Sequence, residues 1–304
     1  MALAGPGSLD QSGDMIKRAP EAGRIVVGVS RSSASRHAVL WAAQEAHLRH
    51  SVLLVTHVDP PSEHAPDVYD AAATCHRFLA DSATVASEAQ PGVAVGTLLL
   101  TGSISDELIR LSQSATLIVV GVDHGVSRAA HGAIGSIEDR VAVHAHCPVV
   151  TVSGPAREGE AQRYVTVGWT SDSSGTRVLA AAATVAAARG AELTVVPDPG
   201  PGGAHPARPA ADALDEVVAD MSRHLPALVI NIDRRGSDWV ETLIEHSARA
   251  GLLVIGSHHS DDRWSVRVGT TAGLLLRQAS GPVMLIGGSA STETPAGDLQ
   301  EADA

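Results

Sequence analysis

Hydroxyl runs and glycine-spaced loops are the features of this 304-residue chain best suited to holding an anion. Ser30-Arg31-Ser32-Ser33-Ala34-Ser35 follows one β-branched run, and Thr170-Ser171-Asp172-Ser173-Ser174-Gly175 follows another. Farther along come Gly121-Val122-Asp123-His124-Gly125, nine residues, then Gly135-Ser136. Their counterpart is Gly256-Ser257-His258-His259, nine residues, then Gly269-Thr270. Glycine lets backbone approach an oxygen-rich group and adopt positive φ. Ser136 and Thr270 open the next helical stretch, where a hydroxyl caps and the free N–H groups and dipole favour phosphate. Such a loop binds phosphate without lysine. The same residues are also ordinary strand-to-helix punctuation, and the loop alone does not separate the two.

Other reactive residues read as structural. His258-His259 with Asp261-Asp262 has no H-E-x-x-H pattern behind it and is taken as a solvated loop, not a metal site. Cys75 and Cys147 form no CxxC and no Cys/His zinc spacing, so reduced thiols are expected and no metal centre. There is no G-x-S-x-G elbow, so no catalytic residues are assigned. Asp106-Glu107 and Asp238 with Glu241 open helical stretches, where acids complement the dipole. Trp41, on an apolar helical face, is expected in the core. Arg234-Arg235 is expected in a solvated turn.

The elements that position these residues repeat. Ile25-Val26-Val27-Gly28-Val29 returns 140 residues later as Val165-Thr166-Val167-Gly168-Trp169. Leu117 to Gly121 returns as Leu252 to Gly256 after 135, and Cys147-Pro148-Val149-Val150 as Gly281-Pro282-Val283-Met284 after 134. An offset that shrinks by six residues over a whole copy marks one duplicated domain and not a solenoid. Within each copy, runs apolar on both faces (25–29, 52–56, 94–100, 117–121, 148–152, then 164–168, 192–196, 227–232, 252–256, 282–286) alternate with Ala-rich helical stretches. That is the mark of a parallel sheet covered on both sides. The expected fold is α/β: two tandem open doubly wound, flavodoxin/Rossmann-like domains of five parallel strands. The divisions expected are a tail at 1–22, domains at 23–153 and 163–288, a linker at 154–162 and a disordered acidic tail at 289–304.

Composition narrows the function. Lys+Arg 22 against Asp+Glu 34 gives a net charge of −12, and the aromatics are four Trp, two Tyr and one Phe. Charge repulsion and the lack of stacking platforms argue against nucleic acid. Lys17 is the only lysine, which closes the Walker A, kinase-lysine and Schiff-base mechanisms. No run approaches a membrane span, and residues 1–22 lack a signal-peptide core, so a cytoplasmic location is expected.

Five segments in the same order twice give the chain a resemblance. They are Gly28-Val29, Trp41-Ala42, Leu117 to Gly121, Gly135-Ser136 and His144 to Val149, with their second-copy partners. In register, they resemble the universal stress protein family, in the tandem form found in actinobacteria. The family motif is G-x2-G-x9-G-[S/T] after the fourth strand, with V-G-V-D-G-S after the first. The resemblance covers roughly 24–152 and 163–287. In ATP-binding members the aspartate ending strand one contacts the nucleoside and the glycine motif holds the phosphates. Carried over by position, this implies Ser30, Gly121, Gly125, Gly135 and Ser136 in copy one, and Thr170, Gly256, Gly269 and Thr270 in copy two. Ser30 and Thr170 replace the aspartate, copy one widens the first glycine spacing to G-x3-G, and His259 stands where copy two's second glycine belongs. A histidine forced to positive φ costs about 1–2 kcal/mol. Asp261-Asp262 adds repulsion, so copy one is the better site.

The function implied is an adenine-nucleotide (ATP) regulatory module in the stress response, with Mg²⁺ accompanying the nucleotide, and not a fast enzyme. The alternatives are a nucleotide-free dimerising or partner-binding scaffold, and a slow ATPase or cyclic-AMP binder. Family members pair through the fifth strand, so a homodimer or an intramolecular pseudo-dimer through 148–152 and 282–286 is implied.

Overall fold

The structure is a computed structural model. It describes residues 23–60, 68–122, 137–155, 159–200, 206–234, 238–257 and 270–287. The expected tails, 1–22 and 289–304, lie outside these.

The first copy runs β1 (Arg24–Gly28), α1 (Ser33–Leu48), β2 (Val52–Asp59), α2 (Val68–Ala89), β3 (Val95–Thr101), α3 (Ile104–Ser112), β4 (Leu117–Gly121), α4 (Ile137–His144) and β5 (Val149–Val152). A 3-10 turn, Gly159–Arg163, runs from the stretch read as a linker (154–162) into the first residue of the expected second domain. The second copy runs β6 (Tyr164–Trp169), α5 (Ser173–Arg189), β7 (Glu192–Pro197), α6 (Arg208–His224), β8 (Ile230–Ile232), α7 (Trp239–Ser247), β9 (Leu252–Gly256), α8 (Thr270–Gln278) and β10 (Val283–Ile286). Among the described residues the fold is the expected α/β alternation, twice over. No helix there is long and apolar enough to cross a membrane.

All ten strands form one sheet, ordered β3-β2-β1-β4-β5-β10-β9-β6-β7-β8. Every pairing is parallel except the central one. There β5 meets β10 antiparallel, with Thr151 opposite Val283 and Val149 opposite Leu285. The two fifth strands thus cover each other's edges, which leaves neither open to a further strand. This is the intramolecular form of the pairing the resemblance implied. The outermost strands, β3 and β8, are only half-buried, since each has a neighbour on one side.

Side-chain alternation sends Ile25, Val27, Val150, Val152, Val165, Val167 and Met284 to one face, where a single core spans both copies. The opposite face carries two separate cores, one per copy. The shared face is continuous because α1 and α5 are alanine-rich toward the sheet. Ala38, Ala42 and Ala46, with Ala182 and Ala186, are essentially unexposed. Small side chains let the helices sit close over the β5–β10 joint. There the carboxylate of Glu45, 2% exposed, accepts from Arg49 Nε at 2.6 Å and from Arg189 Nη2 of the other copy. The Arg189 guanidinium lies 5.3 Å from the ring centroid of Trp41, which is buried as expected.

Candidate functional site

In strand order 3-2-1-4-5, the chain leaves β1 toward β2 on one side and returns on the other at β4. The crevice beyond the carboxyl ends of β1 and β4 is therefore a switch point, and β6 and β9 make a second. Both hydroxyl runs and both loop-leading glycines lie there.

In the first copy, Ser30, Ser32 and Ser35 close into a ring of hydroxyls. The Ser30 N–H donates to Ser35 Oγ at 2.8 Å, and the Ser30 hydroxyl donates to Ser32 Oγ at 3.2 Å. Ser30 and Ser35 Oγ are 3.1 Å apart. The first turn of α1 lies directly on the end of β4: a Cβ at Gly121 would stand 2.5 Å from the Ala34 carbonyl oxygen and 2.8 Å from Ser35 N. Close backbone approach thus requires glycine at 121 whether or not a ligand binds. Gly125, Gly135 and Ser136 lie outside the described residues.

In the second copy an acid takes the place of the hydroxyl ring. Asp172 caps α5 through Gly175 N–H at 2.9 Å, and also accepts from the Ser174 hydroxyl at 2.6 Å and Thr170 Oγ1 at 2.9 Å. Burial would raise this carboxyl, but the bonds from Ser174, Gly175 and Thr170 outweigh it and hold it below the ordinary value. A depressed carboxyl stabilises the fold above its unfolded value, so this contribution is full at neutral pH and lost as pH falls through the folded one. Sequence reading found no acid at the residue ending this strand, and the fold supplies one two positions later.

Beside it lies a small pocket lined by Gly168, Thr170, Trp239, Gly256, Ser257 and Thr271, among others. Its volume is about 30 Å³. At roughly 10–15 Å³ per water, that is space for two or three waters. Trp239 and Thr271 are lining residues that sequence reading did not place in the site. Trp239 is the larger. Its Nε1 donates to the Val196 carbonyl at 2.9 Å, and its ring sits where a Cβ on Gly168 would stand, 3.0 Å away. The available signal was the repeat: Trp239 opens α7 where Ile104 opens α3. Gly269 is outside the described residues, and Thr270 is described only as the first residue of α8.

Among the remaining candidates, Asp238 caps α7 through Glu241 N–H at 3.0 Å, as read. Asp106 and Glu107 pair with Arg140 and Arg110. Arg234 pairs with Asp215. Arg235 and the His258 to Asp262 run lie outside the described residues. Both cysteines are free and buried. Burial pushes the Cys147 thiol from 9.0 up to about 12, while a backbone hydrogen bond from Ile118 acts the other way. At neutral pH native Cys147 should therefore resist iodoacetamide and react only after denaturation, as peptide mass mapping would show. A raised thiol stabilises the fold below its unfolded value, and that contribution fades as pH climbs from about 9 toward 12. Rapid labelling of the folded chain would contradict this burial.

Residues 21–153 match the family described as "Universal stress protein family". A universal stress protein of Mycolicibacterium smegmatis is 26% identical over 293 residues, covering 90% of this chain and 99% of that protein. Universal stress protein Rv2623 of Mycobacterium tuberculosis is 27% identical over 293 residues, covering 86% and 95%. Among solved structures, a universal stress protein from Archaeoglobus fulgidus superposes with a TM-score of 0.69 at 15% identity. It covers 86% of this chain and 95% of that one, and at that identity shares the fold.

Proposed function

The chain belongs to the universal stress protein family, and on that premise we propose that it is a regulatory module that binds an adenine nucleotide, ATP with Mg²⁺ as the phosphate counter-ion. The observation that carries this is the switch point. In both copies a first-strand hydroxyl (Ser30, Thr170) stands at the edge where a glycine ends the fourth strand (Gly121, Gly256). The first copy is the better site. Its ring of neutral hydroxyls can turn to donate to a phosphate oxygen. In the second copy the ionised Asp172 engages the Thr170 hydroxyl. A charge 4 Å from a phosphate costs about 1 kcal/mol in bulk water and about 4 at an effective dielectric of 20. Ser30, Gly121, Gly125, Gly135 and Ser136 are thus the proposed contacts, with Thr170, Gly256, Gly269 and Thr270 the weaker set. The role is a nucleotide-dependent state in the stress response and not turnover.

Equilibrium dialysis with ATP tests this. Ser30→Ala removes one neutral hydrogen bond, about 1 kcal/mol or fivefold in Kd, while Thr170→Val leaves the Kd of the first site unchanged. No binding to the wild-type chain at millimolar ATP would retire the proposal.

One observation favours a second reading, a nucleotide-free scaffold for a partner. Ser30, Ser32 and Ser35 satisfy one another, as Thr170 and Asp172 do, without any ligand. Native mass spectrometry of freshly purified chain distinguishes the two: a nucleotide-loaded species counts against the scaffold.

A further inference from the structure

We propose that His57, Asp59 and Cys75 form a thiolate-containing divalent-metal site of the zinc class at the carboxyl end of β2. One potential ligand atom from each of the three lies within 4.8 Å of the others. Ligands about 2.0–2.3 Å from one tetrahedral ion are roughly 3.6 Å apart, so a small side-chain adjustment gathers them. The three come from two elements. His57 and Asp59 alternate by two along β2 and so share a face. Cys75, 4% exposed, comes from α2, which packs against that strand.

One nitrogen of the histidine is already held by the backbone. His57 Nδ1 lies 2.8 Å from the Val29 carbonyl oxygen, which can only accept, so Nδ1 is the donor, and in the neutral imidazole the lone pair is then on Nε2. Such a backbone partner fixes both tautomer and ring plane around a metal. Phe78, one helical turn beyond Cys75, meets the His57 ring edge-on at 5.6 Å between centroids and restricts it further. The Asp59 backbone carbonyl is held by Gly102 N–H at 3.1 Å, which anchors the strand end that carries the carboxylate.

The donor set selects the ion. A thiolate with an imidazole suits zinc and cobalt, and disfavours magnesium and calcium, which prefer oxygen. Three protein ligands leave a fourth position for water or a small anion. Binding displaces the Cys75 proton, so the site forms with proton release. It does not rest on the nucleotide reading: no residue proposed to hold phosphate belongs to it.

The test is anaerobic Co²⁺ titration of the full-length reduced chain, read in the near ultraviolet for thiolate-to-cobalt charge transfer. The expected result is a band that saturates at one ion per chain, is bleached by Zn²⁺, survives Cys147→Ser and is absent from Cys75→Ser. Asp59→Asn and His57→Gln should each weaken Co²⁺ binding by about tenfold or more. Circular dichroism confirms the fold of each variant; were Cys75→Ser to unfold, the Asp59 and His57 variants decide. No charge-transfer band in the wild type, or only the d–d bands that others among its fifteen histidines could produce, overturns the proposal. So does a band that persists in Cys75→Ser.

Discussion

Glu45→Ala should lower the unfolding free energy by about 3–5 kcal/mol, because it strands buried positive charge at the joint between the copies. The Glu45 side chain is 2% exposed and that of Arg189 10%. Arg49, at 25%, can turn toward water, but Arg189 cannot. Its Nε already lacks a partner among the described residues, and its guanidinium is pinned over Trp41. Urea unfolding followed by tryptophan fluorescence measures the effect, with Trp41 reporting from the joint itself. The double variant Glu45→Leu with Arg189→Met is expected to recover most of the loss, since apolar groups of similar volume often replace a buried ion pair at little cost. A loss below 1 kcal/mol in Glu45→Ala would mean that water reaches Arg189 and that the joint is held by the β5–β10 pairing alone.

Gly175→Ala should be comparably damaging, by about 3 kcal/mol, for a steric reason. The new methyl carbon would stand 1.9 Å from the Thr170 carbonyl oxygen, and that oxygen belongs to backbone, not to a side chain that can swing away. Gly121→Ala meets the same kind of obstacle at the Ala34 carbonyl, 2.5 Å away. Gly154→Ala is the control: nothing among the described residues lies within 4 Å of its added Cβ, so its stability should hold or rise slightly. Thermal melts without nucleotide separate the three. If Gly121→Ala melts with the wild type, the packing account of that glycine fails and its place in the loop belongs to a ligand. If it melts lower, loss of ATP binding in that variant says nothing about phosphate, which is why Ser30→Ala is the sharper probe.

The strand pattern was legible because it is local. A run such as Leu117 to Gly121 is short, β-branched and apolar on both faces, which suits a strand covered on both sides, and glycine ends it. The repeat added the topology of the second copy, and the family resemblance pointed to fifth-strand pairing. The site was legible in part. Glycine and hydroxyl types marked the carboxyl edge, but their spacing did not show that Gly121 is already claimed by the first turn of α1. Nor did it show that Asp172 would turn back onto Thr170.

What the amino-acid order decided unaided was the duplicated α/β alternation, the acidic, lysine-poor character and the two hydroxyl-bearing strand ends, since each follows from residue type and short-range period. Tertiary structure alone decided which distant residues meet: Glu45 with Arg189 across 144 positions, the register that sets Thr151 opposite Val283 within the implied fifth-strand pairing, and His57 and Asp59 with Cys75. Periodicity assigns a residue to a face of its own helix or strand. Which residue meets it from another element depends on how closely α1 and α5 seat over the joint and how α2 lies on β2, and that is settled only when the helices pack onto the sheet.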